Sequence, residues 1–105
     1  MHVCVIFYNI GGYHLARLEA AKRCCDQRGW AFSAVQIAGT TAEHPWGDIP
    51  LPDYVTTLAA HTPGSQPQRG YAQHIASALR QIAPDCVAIP GWGFEFSRAA
   101  LRWCR

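Results

Sequence analysis

The sequence predicts an α/β fold, a three-layer sandwich of three or four mostly parallel strands with helices on both faces. Two kinds of segment point to it. Val3-Cys4-Val5-Ile6-Phe7-Tyr8 and Cys86-Val87-Ala88-Ile89 are continuous apolar runs, the mark of strands buried on both faces, whereas a sheet with one wet face alternates. Segments of helical period follow each of them, and glycine turns make the junctions. The expected order is βαβ(α)αβα, and right-handed crossovers then place helices on both sides of a parallel sheet.

Each element has a local reason. The first strand closes at Asn9-Ile10-Gly11-Gly12. From Tyr13 to Arg28, Leu15, Leu18, Ala21 and Cys25 recur at helical spacing, with Arg17, Lys22 and Arg23 toward water and Gly29 as the stop. Trp30 to Ile37 reads as a second strand ended by Ala38-Gly39-Thr40-Thr41. Residues 40–68 read as an irregular proline-rich loop within the domain, carrying Pro45, Pro50, Pro52, Pro63 and Pro67, with a short helix over Asp53 to Ala60. Tyr71 to Ala83 is a full helix ended by Pro84, with Ile75, Leu79 and Ile82 on one side. The last strand turns through Pro90-Gly91-Trp92-Gly93 into a helix from Phe94 to Arg105.

At 105 residues the chain is one domain, 1–105. Half its residues are apolar and 15% charged, which favours a packed interior over disorder. A net charge of +2 is too small to indicate a nucleic-acid surface, although eight of the nine cations are arginine, the residue suited to forked recognition of anions. The cysteines, Cys4, Cys24, Cys25, Cys86 and Cys104, are odd in number without C-x-x-C, which argues against a disulfide framework or zinc ribbon and for a reducing cytoplasm. His2 and Cys4 share a strand face but lack a second ligand pair, so no metal is expected. Cys24 and Cys25, adjacent in mid-helix, point in different directions. No apolar run is long enough to span a membrane. Three strands are few for a parallel sheet, which suggests part of a larger doubly wound domain or a chain that self-associates through its open edges.

In an open parallel sheet, ligands bind beyond the carboxyl ends of the strands, where neighbouring crossovers leave in opposite directions. If the last strand lies beside the first, that crevice is bounded by Asn9 to His14 and by Pro90 to Glu95. Both loops end in a helix N-terminus, whose free N–H groups attract phosphate or carboxylate. The candidate ligand-binding residues are Gly11, Gly12, Tyr13, His14, Arg17, Gly91, Trp92, Gly93 and Glu95. Gly11 and Gly12 either just make the turn or let backbone approach a ligand. His14 is an ordinary first-turn polar residue, or it accepts a proton or bonds a sugar hydroxyl, which makes it the one catalytic candidate. Arg17, a turn further on, pairs an anion or is solvated. Trp92 is a lid on the sheet or a stacking platform, and Glu95 complements the dipole of its helix. Phe96 stands where the dinucleotide fingerprint beginning Gly91-x-Gly93 needs glycine, and no phosphate loop, nucleophile elbow or H-E-x-x-H occurs, so no cofactor is expected.

The run Gly12-Tyr13-His14-Leu15-Ala16-Arg17-Leu18 resembles one that opens the N-terminal domain of bacterial glycosyltransferases of the GT-B fold, family-4 type. Val35-Gln36-Ile37-Ala38-Gly39, Glu43-His44-Pro45-Trp46 and Pro84 to Trp92 look like the following strand, its loop and the later strand with its glycine turn, so the likeness spans nearly the whole chain. His44 stands where relatives often have Tyr. The resemblance implies a Rossmann-like acceptor-side domain, in which Gly11, Gly12 and His14 approach the acceptor and the donor diphosphate and the Gly91-Trp92-Gly93 turn lines the same cleft. In such enzymes a second domain binds the nucleotide-sugar and carries an E-x7-E motif. Glu19, Glu43 and Glu95 are 24 and 52 positions apart, so that motif is not present here. The expectation is an acceptor-side half-domain, cut short and without transfer activity alone. Its nucleotide-sugar and acceptor would be partners only with a second domain. The rivals are a binding module for a small phosphorylated ligand or nucleotide, and a self-associating structural unit.

Overall fold

The computed structural model describes residues 1–40, 49–61 and 71–105. Four strands, β1 (His2–Phe7), β2 (Ala31–Thr40), β3 (Val55–His61) and β4 (Cys86–Ala88), form one all-parallel sheet in the order β3-β2-β1-β4. Three helices, α1 (Gly12–Gln27), α2 (Tyr71–Ile82) and α3 (Glu95–Cys104), complete the described elements. The α/β architecture is that of a partial Rossmann-like sandwich. The expected adjacency of first and last strands holds, with Cys4 opposite Val87 in β4 and opposite Ser33 in β2.

Alternate residues of β1 and β2 serve the two sides of the sheet, as the strand period requires. Cys4, Ile6, Val35 and Ile37 face α2 and α3, where Ile75, Leu79, Phe96, Ala99 and Ala100 close a buried cluster. On the other face Phe32 and Ala34 pack with Leu18 and Cys25 of α1, flanked by Val3, Val5 and Phe7. This two-sided burial explains why β1 reads as an unbroken apolar run, whereas β2 is interrupted by Ser33 and Gln36.

Three expectations need correction. Cys86–Ala88, expected to be buried on both faces, is an edge strand with Cys86 and Ala88 exposed, because it pairs on one side alone, with β1. Residues 53–60 do not form a short helix; Val55–His61 is β3, paired along β2 from Ala34↔Val55 to Thr40↔His61. Isolated propensity favours neither state strongly in Val-Thr-Thr-Leu-Ala-Ala-His, and hydrogen bonding to the open edge of β2 decides it. The second strand also does not stop at Ile37 but continues to Thr40, because β3 lies beside it. The proline-rich stretch is therefore not loop throughout. Its Pro45, Pro63 and Pro67 fall outside the described residues, while Tyr54 just before β3 donates its hydroxyl to Glu19 of α1 at 3.0 Å.

Helix ends follow local chemistry. Gly29, with φ +69°, sits past the end of α1 in the left-handed region glycine favours. At the end of α2 the same region is taken by Ala83, φ 51°, whose N–H closes the last turn on the Leu79 carbonyl at 2.8 Å. Alanine pays a steric penalty there. Ala83→Gly is expected to stabilise the fold by about 1 kcal/mol, measured by chemical denaturation, the relief being partly offset by the greater freedom of glycine in the unfolded chain.

No described helix is long and apolar enough to cross a membrane. The five cysteines are free thiols, with Cys4 and Cys25 buried and Cys24, Cys86 and Cys104 exposed. Burial pushes the Cys4 thiol up from 9.0 to about 12, and the Cys104 thiol adds to the shift. A thiol reagent at neutral pH should modify Cys24, Cys86 and Cys104 in the native protein and reach Cys4 and Cys25 only on unfolding. Because Cys4 holds its proton in the fold to about 12 and loses it near 9.0 when unfolded, it should cost stability progressively as pH rises across that interval.

Candidate functional site

At the carboxyl end of β1 the chain must leave a sheet covered on both faces, and two buried amides organise its exit. Gln36 of β2, 2% exposed, accepts the Ile10 N–H on Oε1 at 2.7 Å and donates from Nε2 to Thr57 Oγ1 of β3 at 3.1 Å. Asn9, 7% exposed, donates from Nδ2 to the carbonyls of Ala38 and Gly39, each at 2.9 Å. The Ala38 N–H donates back to the Tyr8 carbonyl at 2.9 Å. Three strands are thus tied to one turn. Asn9 Oδ1 is buried without a partner among the described residues.

The turn delivers the chain into α1. Gly11 is the N-cap and has no side chain to bond the first N–H groups, and no acidic residue stands in the first turn. Ile10 and Leu15 both join the cluster under α1 and brace the helix entry as a hydrophobic staple. His14, at the third helical position, turns back and accepts the Gly11 N–H on Nδ1 at 3.2 Å. A backbone N–H can only donate, so this bond fixes Nδ1 as the acceptor and places the proton of the neutral ring on Nε2. The Phe7 ring, 4.8 Å away centroid to centroid, holds the imidazole from the other side.

Gly12 follows as the first helical residue. A Cβ built there meets nothing within 4 Å and its backbone is not left-handed, so neither packing nor conformation demands glycine. Gly91 is different, since its φ of +95° requires it.

A cavity of about 550 Å³ opens at this point, between the β1–α1 turn and the segment after β4. Phe7, Tyr8, Asn9, Gly11, Gly12, Tyr13 and His14 line it from one side, Pro90 and Phe94 from the other. Tyr8 and Phe94 stack at 5.7 Å, and Phe94 stacks in turn on Phe96 at 5.1 Å. The location is the switch point of the sheet, since β1 hands on to β2 through α1 on one face while α2 brings the chain to β4 on the other.

The structure brings Gly11, Gly12, Tyr13 and His14 together on the cavity wall. Arg17 instead stacks its guanidinium over the Tyr13 ring at 4.4 Å and donates to the Tyr13 hydroxyl, both side chains being exposed. Gly91, Trp92, Gly93 and Glu95 lie outside the lining. Trp92 is 64% exposed, with its carbonyl accepting from Arg98 at 3.3 Å, and Glu95 is in the first turn of α3. Glu43, His44, Pro45 and Trp46 are outside the described residues. The sequence placed Asn9 and Phe94 on the crevice boundary without giving either a role, and passed over Gln36 as a site-building residue and Tyr8 as a cavity wall. The available signal was a glutamine enclosed by Val35 and Ile37 in a buried strand. No group of three or more His, Cys, Asp or Glu among the described residues is placed to hold a metal ion.

Replacing Gln36 with leucine would leave the buried Ile10 N–H without its acceptor. Gln36→Leu should cost roughly 1–3 kcal/mol in denaturant unfolding.

No family model, curated protein or solved structure matches this chain.

Proposed function

We propose that this chain is the acceptor-side half of a glycosyltransferase of the GT-B type, binding a small ligand in the switch-point cavity and lacking transfer activity by itself. The observation that carries the reading is the cavity itself. It lies at the start of the Tyr-His-Leu-Ala-Arg-Leu run on which the family resemblance rests, and its wall includes Gly11, Gly12 and His14. Its size is in the range of roughly 300–1,000 Å³ usual for small-molecule sites.

The chemistry available there is that of binding. With Nδ1 engaged by Gly11, His14 presents Nε2–H, a hydrogen-bond donor, and in this tautomer it does not serve as the general base. The N–H groups of the first α1 turn are further donors, reinforced by the helix dipole. Sugar transfer also needs groups that activate the acceptor and stabilise the departing nucleotide, and no pair of carboxylates among the described residues lines the cavity. The reading therefore assigns holding and orientation of the acceptor to this chain and bond-making to a second domain.

Titration calorimetry with nucleotide-sugars and a panel of sugar acceptors tests it. Saturable binding that Gly12→Val removes, with no sugar transferred by the isolated chain, is the expected result. Turnover by the chain alone, or no saturable binding by any member of the panel, would contradict the reading.

A further inference from the structure

We propose that the groove between α2 and α3 is a docking site for an acidic amphipathic helix of a partner protein, its carboxylates on Arg80 and Arg102 and its apolar side chains over Ala72, Ala76, Ala99 and Trp103. The groove shares no residue with the β1–α1 cavity, so the proposal stands apart from the acceptor-side reading.

The helical period builds the groove. On α2, Ala72, Ala76 and Arg80 recur at i, i+4 and i+8, a stripe beside the buried stripe of Ile75 and Leu79. On α3, Ala99, Arg102 and Trp103 fall at i, i+3 and i+4 and make a matching stripe. The two stripes line one groove of about 510 Å³. Three of its residues end at Cβ, which leaves a floor that the backbone of another helix can approach closely. Trp103 is half-buried, packed against the core cluster and at the same time part of the groove wall.

Charge selects the occupant. Arg80 and Arg102 are exposed, and neither guanidinium has a hydrogen-bond or ion-pair partner among the described residues. A cation in the last turn favours each helix by itself, but the helix dipoles do not account for both arginines lining a single groove beside a tryptophan. The two helices carry Arg80, Arg98 and Arg102 against Glu95 alone, and Glu95 stands in the first turn of α3, two turns from Arg102. The imbalance matches carboxylates, which guanidinium groups bind in a fork. A second copy presenting the same face would set arginine against arginine. A nucleic-acid backbone would engage the cations and leave the alanine floor unfilled, whereas an amphipathic helix uses both, with apolar side chains on the floor and acidic ones on the rim. Tryptophan and arginine are also the residue types that dominate binding at such interfaces.

Fluorescence anisotropy with the full chain tests the proposal. The probe is a fluorescein-labelled peptide of repeated Glu-Ala-Leu-Glu-Ala-Ala-Leu heptads, about 20 residues long so that a helix is sustained, with counterparts in which Gln or Lys replaces every Glu. The acidic probe should bind saturably and at least about tenfold more tightly than either counterpart. Arg80→Gln and Arg102→Gln, at exposed positions, should each weaken it about tenfold with the circular dichroism spectrum unchanged. Arg23→Gln, an exposed cation of α1, should leave the affinity unaltered. The chain carrying Arg80→Glu and Arg102→Glu together should prefer the Lys probe, a reversal that loss of folding would not produce. No saturable binding of the acidic probe, equal binding of the Lys counterpart, or the same weakening by Arg23→Gln would overturn the proposal. A single-stranded oligothymidylate that displaces the probe more effectively than unlabelled acidic peptide does, and loses that ability on Arg80→Gln, would overturn it too by assigning the groove to nucleic acid.

Discussion

A strand covered on both faces ends in a difficulty, because the backbone groups freed at its last residue have no water to turn to. Here Asn9 and Gln36 resolve it. Gln36 satisfies the Ile10 N–H from the neighbouring strand and reaches Thr57 of the strand beyond, and Asn9 binds two carbonyls at the end of β2. These buried amide bonds fix the exit angle of the chain into α1 and register three strands against one another. An unmade buried hydrogen bond costs more than a made one gains, so the turn has little freedom to relax. The placement of Gly12, Tyr13 and His14 follows from it.

That rigidity links fold to site. The cavity is formed by a turn held by buried amide hydrogen bonds, a helix whose cap has no side chain, and the aromatic pair Tyr8 and Phe94 brought together across β1 and the segment after β4. His14 belongs to both structure and site, since one ring nitrogen completes the helix start and the other is left as a donor. Asn9 lines the same wall, with its Oδ1 buried and without a partner among the described residues. A preorganised site of this kind is paid for in stability and recovered on binding.

Much of this was legible in the residues. The continuous apolar run at Val3 to Tyr8 marked a buried strand, and Leu15, Leu18 and Cys25 marked the inner face of α1, because burial on a regular element leaves a period; the run Cys86 to Ile89 read the same way, yet it forms a short edge strand with Cys86 and Ala88 exposed. The location of the crevice followed from topology, given the pairing of β1 with β4. What escaped depended on partners distant in the chain. Val55–His61 became a strand through β2, with Thr56 and Thr57 exposed and no apolar alternation to announce it. Trp92 read as a crevice aromatic from its place between glycines, whereas Phe94 and Tyr8 take that position. Which of several aromatics in a short loop turns inward depends on packing against neighbours that no local pattern records.

The central claim, that the β1–α1 turn is a preformed seat for a small ligand, is most directly tested by following backbone amide resonances while nucleotide-sugars and sugar acceptors are added to the uniformly ¹⁵N-labelled chain. The expected result is saturable shifts at Gly12, Tyr13 and His14, with Asn9 and Phe94 responding and the α2–α3 groove around Arg80 and Arg102 silent. Shifts confined to Arg80, Arg102 and other exposed cations, with the amides of the α1 N-terminus unmoved, would contradict it.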